Sequence, residues 1–413
     1  MLSRRQFIGL SGGAALAGAA AWAGLLREHT SGSHGGAEVA GTGARVLVVV
    51  QMSGGNDALN TVIPHDGRYH DARPKLGIAD DKLVALSGET SVGLHPALQP
   101  LVPLWDAHQL AVLPGVGFAT DSRSHFESLA SWWTASPDHN LTTGWIGRWL
   151  DATGAAVDNP LVAISLGGGA VPALASDHSQ STAVNDLSAF KLLAPTATKG
   201  DRLAQAFAAT ASPASTDALT AQAQAAIPAA LRAVDALSKA SEDTPVEGDD
   251  GDASATGPIT SGLQAAASLI DLDLGARVLL VSAAGFDTHA NQVDTHQRLL
   301  GDLANGVSTF LKSLTDKGNA DRVLLVTTSE FGRRAAENGS DGTDHGLGGV
   351  QFLAGPAVQG GLHGTVDLSN LTEGDLPVQT DTRSLYAAAL DWLGGPSAPL
   401  LDGHADNLHL VNT

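Results

Sequence analysis

Three apolar runs of similar form give the first indication of the fold. RVLVVVQMSGGND (45–57), RVLLVSAAGFDTH (277–289) and RVLLVTTSEFGR (322–333) each open with Arg-Val-Leu and continue as apolar, largely β-branched sequence. Runs that are apolar throughout, rather than alternating, are typical of strands covered on both faces of a parallel sheet. Helical segments such as TFLKSLTDKG (309–318) lie between them. The pattern therefore predicts an α/β protein with a largely parallel central sheet and helices on both faces.

The same three runs end in small residues followed by an acid. The acids are Asp57, Asp287 and Glu330. In open α/β sheets, ligands gather beyond the carboxyl ends of the strands. We therefore expect these three side chains to meet at one rim of the sheet.

The composition changes between residues 200 and 275. Ala-rich segments with helical spacing flank the acidic stretch SEDTPVEGDDGDASATGP (241–258), which is typical of a solvated loop and lacks the full spacing of a calcium-binding loop. We predict a single domain over residues 46–413 with a helical insertion at about 200–275.

The first 45 residues read as a targeting segment and a linker. Arg4 and Arg5 precede an uncharged Gly/Ala/Leu run that ends at Leu26, and a Gly/Ser-rich stretch (29–43) follows. Paired arginines before such a run indicate a twin-arginine signal peptide, with a transmembrane anchor as the alternative. We expect export to the periplasm or the extracellular space by the twin-arginine machinery, with no stable membrane span in the mature chain.

Charge and cysteine content exclude several classes of function. Forty-three acidic residues against 23 basic ones give a net charge of −20, which opposes binding to nucleic acid. The chain has no Cys, so disulfides, thiolate ligands and a Cys nucleophile are excluded. Any transition metal must be bound by His, Asp or Glu.

A set of acids and imidazoles falls just after the predicted strands and in one glycine-flanked loop. Its members are Asp57, Asp287 and His289 of GFDTH, Glu330, and Asp344 and His345 of GTDHG. Such a set suits zinc, manganese or iron, or calcium or magnesium where more oxygen donors are present. We predict a site for one or two divalent ions, a kind of site that suits phosphoryl or sulfuryl transfer.

The segment ATDSRSHFESLASWW (119–133) supplies a candidate nucleophile. Ser124 has Glu127 three residues later, a capping-box spacing that predicts the start of a helix, so Ser124 is either a nucleophile or a helix cap. An anion would be held at such a helix N-terminus, where Arg123 could clamp it. His125 is either a metal ligand or a base.

Several motifs together resemble the exported bacterial family called domain of unknown function 1501, which is grouped with the alkaline phosphatase and sulfatase superfamily. They are GGNDALN, RSHFES, GFDTHANQ, TSEFGRRAAENGSDGTDHG and DTRSLYAAALDWLG, in this order between residues 46 and 394. The resemblance implies an alkaline-phosphatase-like fold, Asp57 as a metal ligand and Ser124 as the nucleophile.

The resemblance leaves the later ligands open. Asp287 and His289 resemble the superfamily's first Asp/His pair, at a narrower spacing. The second Asp-His pair corresponds either to Glu330 followed by Phe331, which leaves no imidazole there, or to Asp344 and His345. The first alignment would leave a single metal ion.

Three functions remain open from the sequence. The first is an exported metal-dependent hydrolase of phosphate esters, or less favourably sulfate esters, acting on a small or polymer-linked anionic substrate. A sulfatase of the formylglycine type would need Pro after the nucleophile position, and DSRSHF has none there. The second is a non-catalytic exported binding protein on the same scaffold. The third is a metal-free serine esterase, suggested by GGND but lacking that family's other motifs.

Overall fold

A nine-stranded sheet forms the centre of the protein. The computed structural model describes residues 43–156, 159–184 and 256–412, together with scattered positions between 205 and 231. The strands of the central sheet and of a separate two-stranded sheet (β2 and β3) are β1 Val46–Ser53, β2 Val62–Pro64, β3 Val92–Leu94, β4 Leu110–Gly117, β5 Ala163–Leu166, β6 Thr182–Val184, β7 Val278–Ala284, β8 Val323–Thr328, β9 Gly349–Ala354, β10 Gly361–Leu362 and β11 Thr380–Asp381.

The strand order places the three predicted strands side by side. The order is β10-β4-β9-β8-β1-β7-β5-β6, with β11 also paired to β4. β1 pairs in parallel with both β7 and β8, as the apolar runs predicted. Within the described part of the central sheet, only β9 runs antiparallel to its neighbours, which are β4 and β8. The predicted α/β class with a largely parallel sheet is therefore confirmed.

Helices cover both faces of this sheet. They are α1 Gly67–Ala72, α2 Val102–Asp106, α3 His125–Thr134, α4 Trp145–Thr153, α5 Pro258–Asp271, α6 Gln292–Asp316 and α7 Thr382–Leu393, with short 3-10 turns between some of them. Helices α5 and α6 contribute to the core on one face, and α3, α4 and α7 to the core on the other. No helix within the described ranges is both long and apolar enough to cross a membrane.

Alternation along β1 shows how one strand contributes to both cores. Val48 and Val50 pack in the first core, where Leu303 of α6 also lies. Leu47 and Val49 pack in the second core with α7. Because side chains alternate between the faces of a strand, a central strand buried on both faces must be apolar throughout.

Two predicted segments fall largely outside the described residues. The twin-arginine signal and most of its linker lie in residues 1–42, for which the structure gives no description. Most of the predicted insertion, including nearly all of the acidic stretch 241–258, also lies outside. Within the described part of 200–275, α5 packs against the sheet beside β7.

Candidate metal centre

Acids and imidazoles from four segments meet beyond the carboxyl ends of β1, β7 and β8. The segment after β7 carries Asp287 and His289, the segment after β8 carries Glu330, and helix α3 begins at His125. The GTDHG loop contacts the turn after β7 so closely that a Cβ on Gly342 would lie 2.2 Å from the carbonyl carbon of His289. This close approach requires glycine, and it brings Asp344 to the same rim.

The orientation of His289 is fixed by Asp344. Asp344 Oδ1 lies 3.2 Å from His289 Nδ1, and Asn338 donates to the same oxygen at 3.2 Å. The hydrogen bond from Asn338, together with His289, lowers the pKa of Asp344, so this carboxylate is ionised and can only accept. His289 therefore donates from Nδ1, and its Nε2 is left facing inwards.

His345 is fixed in the same way by a backbone carbonyl. Its Nδ1 lies 2.8 Å from the carbonyl oxygen of Arg123, which can only accept a hydrogen bond. Nδ1 must therefore carry the proton, and Nε2 is the unprotonated nitrogen of the neutral ring. Burial lowers the pKa of His345, which favours this neutral form.

His125 is the third imidazole with this arrangement. Its Nδ1 lies 2.9 Å from Oε1 of Glu330, a carboxylate that is almost fully buried and also accepts from the backbone N–H of Gly54 at 2.8 Å. The hydrogen bond to Glu330 raises the pKa of His125. His125 Nε2 is buried without a hydrogen-bond partner among the described residues, and it lies 3.4 Å from Oδ2 of Asp287.

The three inward nitrogens converge on one carboxylate. We call His125, Asp287, His289 and His345 the histidine cluster. The Nε2 atoms of His289 and His345 are 2.9 Å apart, and they lie 3.1 and 3.2 Å from Oδ1 of Asp287. When both rings are neutral and donate outwards from Nδ1, the Nε2 atoms of His289 and His345 are both acceptors, and two acceptors 2.9 Å apart repel one another unless a cation lies between them.

The donor set and spacing of the histidine cluster fit a bound metal ion. Atoms about 2.0–2.2 Å from one ion are separated by about 3 Å in octahedral and about 3.4 Å in tetrahedral geometry, close to the distances within the cluster. His125, Asp287 and His345 each offer one ligand atom, and these three atoms lie within 4.8 Å of one another. Outward hydrogen bonds from ligating imidazoles to carboxylates and carbonyls are the usual second layer of metal sites.

Arg333 is a residue of the candidate site that the sequence interpretation missed. Its guanidinium is fully buried, with Nη2 2.7 Å from Oδ1 of Asp287 and Nη1 2.9 Å from the carbonyl oxygen of Thr343. It also donates to the carbonyl oxygens of Gly54 and Gly55, so it links the segments after β1 and β7 to the GTDHG loop.

Arg333 also sets the charge balance of the site. Burial raises the pKa of Asp287, but Arg333 and the imidazoles outweigh burial and hold that pKa at about 2. Asp287, Glu330 and Asp344 carry −3 formally and Arg333 carries +1, which leaves −2 for neutral imidazoles. A single divalent cation would neutralise this charge.

Phe331 lies where one alignment with the superfamily would place an imidazole. Its ring centroid is 5.0 Å from that of His125 and 4.6 Å from that of His345. A Cβ on Gly55 would lie 2.3 Å from the Phe331 ring, so the glycine makes room for it. Phe331 supplies an apolar wall to the histidine cluster and no ligand atom.

Ser124 precedes α3 as predicted, but the predicted capping bond is absent. α3 begins at His125, and the Ser124 side chain makes no capping hydrogen bond. Asp121 accepts hydrogen bonds from the backbone N–H of Arg123 and from the hydroxyl of Ser128 instead. The capping-box interpretation is therefore wrong for the side chain, and within the described chain the Ser124 hydroxyl is not committed to the helix.

The side chain of Arg123 is not positioned as an anion clamp. Its Nη2 lies 2.7 Å from Oδ2 of buried Asp375 and 3.2 Å from Oε2 of Glu373. The residue contributes its carbonyl oxygen to the site, through His345. The sequence interpretation made this side chain an anion clamp, but its two carboxylate partners already engage the guanidinium.

Asp57 lies outside the histidine cluster. Its carboxylate is fully buried and accepts two hydrogen bonds from Arg73, at 2.7 and 3.0 Å, and one from Gln292. Because both oxygens are engaged with a buried cation, the structure does not bring Asp57 among the groups that face the site. The sequence interpretation grouped Asp57 with the ligands because it could not show Arg73, which lies in the loop after α1.

Comparison with known proteins gives one family and several distant structures. The family described as a protein of unknown function (DUF1501) matches residues 111–408. No curated protein matches the chain. The lipoteichoic acid synthase LtaP from Listeria monocytogenes is similar at 9% identity and a TM-score of 0.39, with 91% of this chain and 78% of that chain covered.

Two further solved structures are similar to a comparable extent. They are BT1596, a 2-O GAG sulfatase, at 11% identity and a TM-score of 0.32 (89% and 76% covered), and the phosphonate monoester hydrolase SpPMH from Silicibacter pomeroyi, at 12% identity and a TM-score of 0.33 (88% and 76% covered). At these identities and TM-scores the likeness carries no argument about the activity of this chain.

Proposed function

Since the chain belongs to the DUF1501 family of proteins of unknown function, we propose from its own site that it is an exported, metal-dependent hydrolase of phosphate esters, with sulfate esters as the less favoured substrates. One observation carries the proposal. Three imidazoles each use Nδ1 as an outward donor and direct Nε2 towards Asp287, with contacts of 2.9–3.4 Å between these inward atoms.

The donor set favours a borderline transition metal. Three imidazole nitrogens and one carboxylate, without a thiolate, suit zinc, manganese or iron better than the oxygen-rich shells of calcium or magnesium. We propose one ion, because Arg333 already supplies the other positive charge. When bound, the ion would act as a Lewis acid that polarises the ester and lowers the pKa of a nearby hydroxyl.

The N-terminus of α3 supplies the anion site and the nucleophile. The first N–H groups of a helix are free of intrahelical partners and favour an anion. Ser124 stands directly before this helix, with a hydroxyl that does not cap it. In the proposed reaction Ser124 Oγ forms a bond to phosphorus as the ester P–O bond breaks, and the alcohol leaves with the proton. Water then cleaves the phosphoserine, which releases phosphate and restores the hydroxyl.

The remaining residues hold this arrangement. Glu330, Asp344 and the carbonyl of Arg123 fix the three imidazoles. Phe331 excludes water from one side of the imidazoles. Export rests on the twin-arginine pattern at Arg4 and Arg5, and the substrate would then be an anionic ester outside the cytoplasm.

Metal analysis combined with a substrate panel tests the proposal. The protein without residues 1–42 would be purified, and its metal content measured. Its turnover of nitrophenyl phosphate, bis-nitrophenyl phosphate, nitrophenyl sulfate and nitrophenyl acetate would be compared before and after chelation. Bound metal with chelator-sensitive phosphate turnover supports the proposal. Chelator-resistant acetate turnover would instead indicate a serine esterase, and metal without turnover of any ester a binding protein.

A further inference from the structure

Arg123 has an unusual backbone conformation at the entrance to α3. Its φ is 58°, in the left-handed region that residues with a Cβ seldom occupy. This conformation precedes Ser124 and His125, and the carbonyl of Arg123 accepts the hydrogen bond from His345 Nδ1. An unfavourable backbone conformation persists only when its surroundings hold it.

The Arg123 side chain has one buried and one exposed partner. Nη2 lies 2.7 Å from Oδ2 of Asp375, whose side chain is 0% exposed, and 3.2 Å from Oε2 of Glu373, whose side chain is 75% exposed. The contact with Asp375 is close, but neither Asp375 oxygen makes a well-aligned hydrogen bond, so charge attraction dominates it. Glu373 accepts a hydrogen bond from Nη2, but its exposed charge is screened by water, whereas the buried charge of Asp375 is screened far less, which favours Asp375 as the anchor.

Backbone contacts connect Asp375 to the loop that carries His345. Its backbone forms a bridge with Arg334, whose N–H donates to the carbonyl of Asp344 at 3.0 Å. The side chain of Arg334 also lies 3.7 Å from Asp375 Oδ1. One short backbone path therefore connects Asp375 to the residue directly before His345.

We infer that Asp375 is a positioning residue for the metal centre. It holds the Arg123 guanidinium, which keeps the Arg123 backbone left-handed and directs its carbonyl to Nδ1 of His345. The ring of His345 is thereby locked in the tautomer whose Nε2 faces Asp287. The inference rests on the proposed metal site, although its effect on the tautomer exists without metal.

The matched variants Asp375→Asn and Glu373→Gln test this role. Each replaces a carboxylate beside Arg123 with a neutral amide of nearly the same size. Asp375→Asn also removes the charge that lies 3.7 Å from the side chain of Arg334. Zn²⁺ alone is the probe, with its affinity measured by competition with a chelator. We expect Asp375→Asn to weaken Zn²⁺ binding by about 10–100-fold, as loss of an outer partner usually does, and Glu373→Gln to stay within about twofold of wild type.

A second readout follows the tautomer in the metal-free protein. ¹⁵N-histidine NMR distinguishes Nδ1–H from Nε2–H, and the His345 signals are assigned by their loss in His345→Gln. Wild type and Glu373→Gln should show the Nδ1–H form, and Asp375→Asn a mixture. A change confined to global stability would leave the tautomer unaltered. An unaltered tautomer and unaltered Zn²⁺ affinity in Asp375→Asn would overturn the inference.

Substitutions at Arg123 itself keep the test decisive if Asp375→Asn does not fold. Arg123→Ala loses the anchor and retains a Cβ, whereas Arg123→Gly loses the anchor but adopts the left-handed conformation freely. We expect Arg123→Gly to bind Zn²⁺ about five- to tenfold more tightly than Arg123→Ala. Equal binding by both would count against the inference. If wild type binds no Zn²⁺, the proposed function fails, and the tautomer comparison alone decides the role of Asp375.

Discussion

Replacing Asp57 with Asn removes the negative charge from a fully buried ion pair while keeping the shape of the side chain. Arg73 would keep its positive charge, because its guanidinium does not deprotonate in proteins. Its hydrogen bonds to the carbonyl oxygens of Ala335 and Arg334, at 2.6 and 2.8 Å, satisfy donors but do not neutralise that charge. The variant therefore creates an uncompensated buried cation.

The cost of this change can be worked from the environment of the pair. Removing one partner of a buried ion pair costs about 3–5 kcal/mol. Part of that cost depends on pH: burial raises the pKa of Asp57, but Arg73 outweighs it and holds the pKa at about 2, below the ordinary 3.8. The difference corresponds to roughly 2 kcal/mol. A depressed pKa stabilises the fold above pH 3.8, and this contribution is lost as the pH falls towards 2.

Urea unfolding at pH 7 and near pH 2.5 measures both effects. At pH 7 we expect Asp57→Asn to lower the unfolding free energy by about 3–5 kcal/mol, and the gap to wild type should narrow by more than about 1 kcal/mol in acid. The folded variant should retain its Zn²⁺ affinity. Asp344→Asn is the converse control, since its exposed carboxylate should matter for Zn²⁺ and little for stability. If Asp57→Asn were as stable as wild type but had lost Zn²⁺ binding, the structural role of Asp57 would be refuted.

Three further outcomes follow from the same site. Metal analysis of the purified protein should give one equivalent of divalent ion, and two equivalents would contradict the role of Arg333 as the second positive charge. His345→Ala should weaken Zn²⁺ binding by more than about 100-fold with the circular dichroism spectrum unchanged, and metal retained at full occupancy would remove His345 from the ligand set. Ser124→Ala should keep the metal but lose turnover by about a thousandfold or more, whereas unchanged rates would restore Ser124 to a purely local role.

The central sheet could be predicted from the sequence because the signal for a buried strand lies within the strand itself. A strand buried on both faces must be apolar along nearly its whole length, and β1, β7 and β8 can be recognised in the sequence by this property. The same rule places their carboxyl ends together, so the approach of Asp287 after β7 to Glu330 after β8 could be predicted, and both acids contact His125. Antiparallel β9 was not recognised, since a run of six residues carries no signal for its direction.

Side-chain partners, in contrast, depend on contacts between distant parts of the chain. Asp57 follows a strand as Asp287 does, but it forms a fully buried ion pair with Arg73 from a neighbouring loop. The sequence shows an Arg in either case and does not show which acid it meets. Arg333 and Asp375 escaped notice for the same reason, because their importance comes from the 2.7 Å contacts that each makes with a residue far away in the chain.

The three outward acceptors of the imidazoles come from separate segments, and this separation explains how the site is specified. Glu330 follows β8, Asp344 lies in the GTDHG loop, and the Arg123 carbonyl precedes α3. A neutral imidazole whose Nδ1 has no acceptor can carry its proton on either nitrogen. Each of the three rings therefore needs its own acceptor to fix which nitrogen faces inwards. Only when the sheet has brought all three segments together does each Nδ1 find its acceptor. The proposed cation preference of the cluster is therefore a property of the completed fold, and we expect any variant that releases one acceptor to weaken metal binding before it weakens the fold.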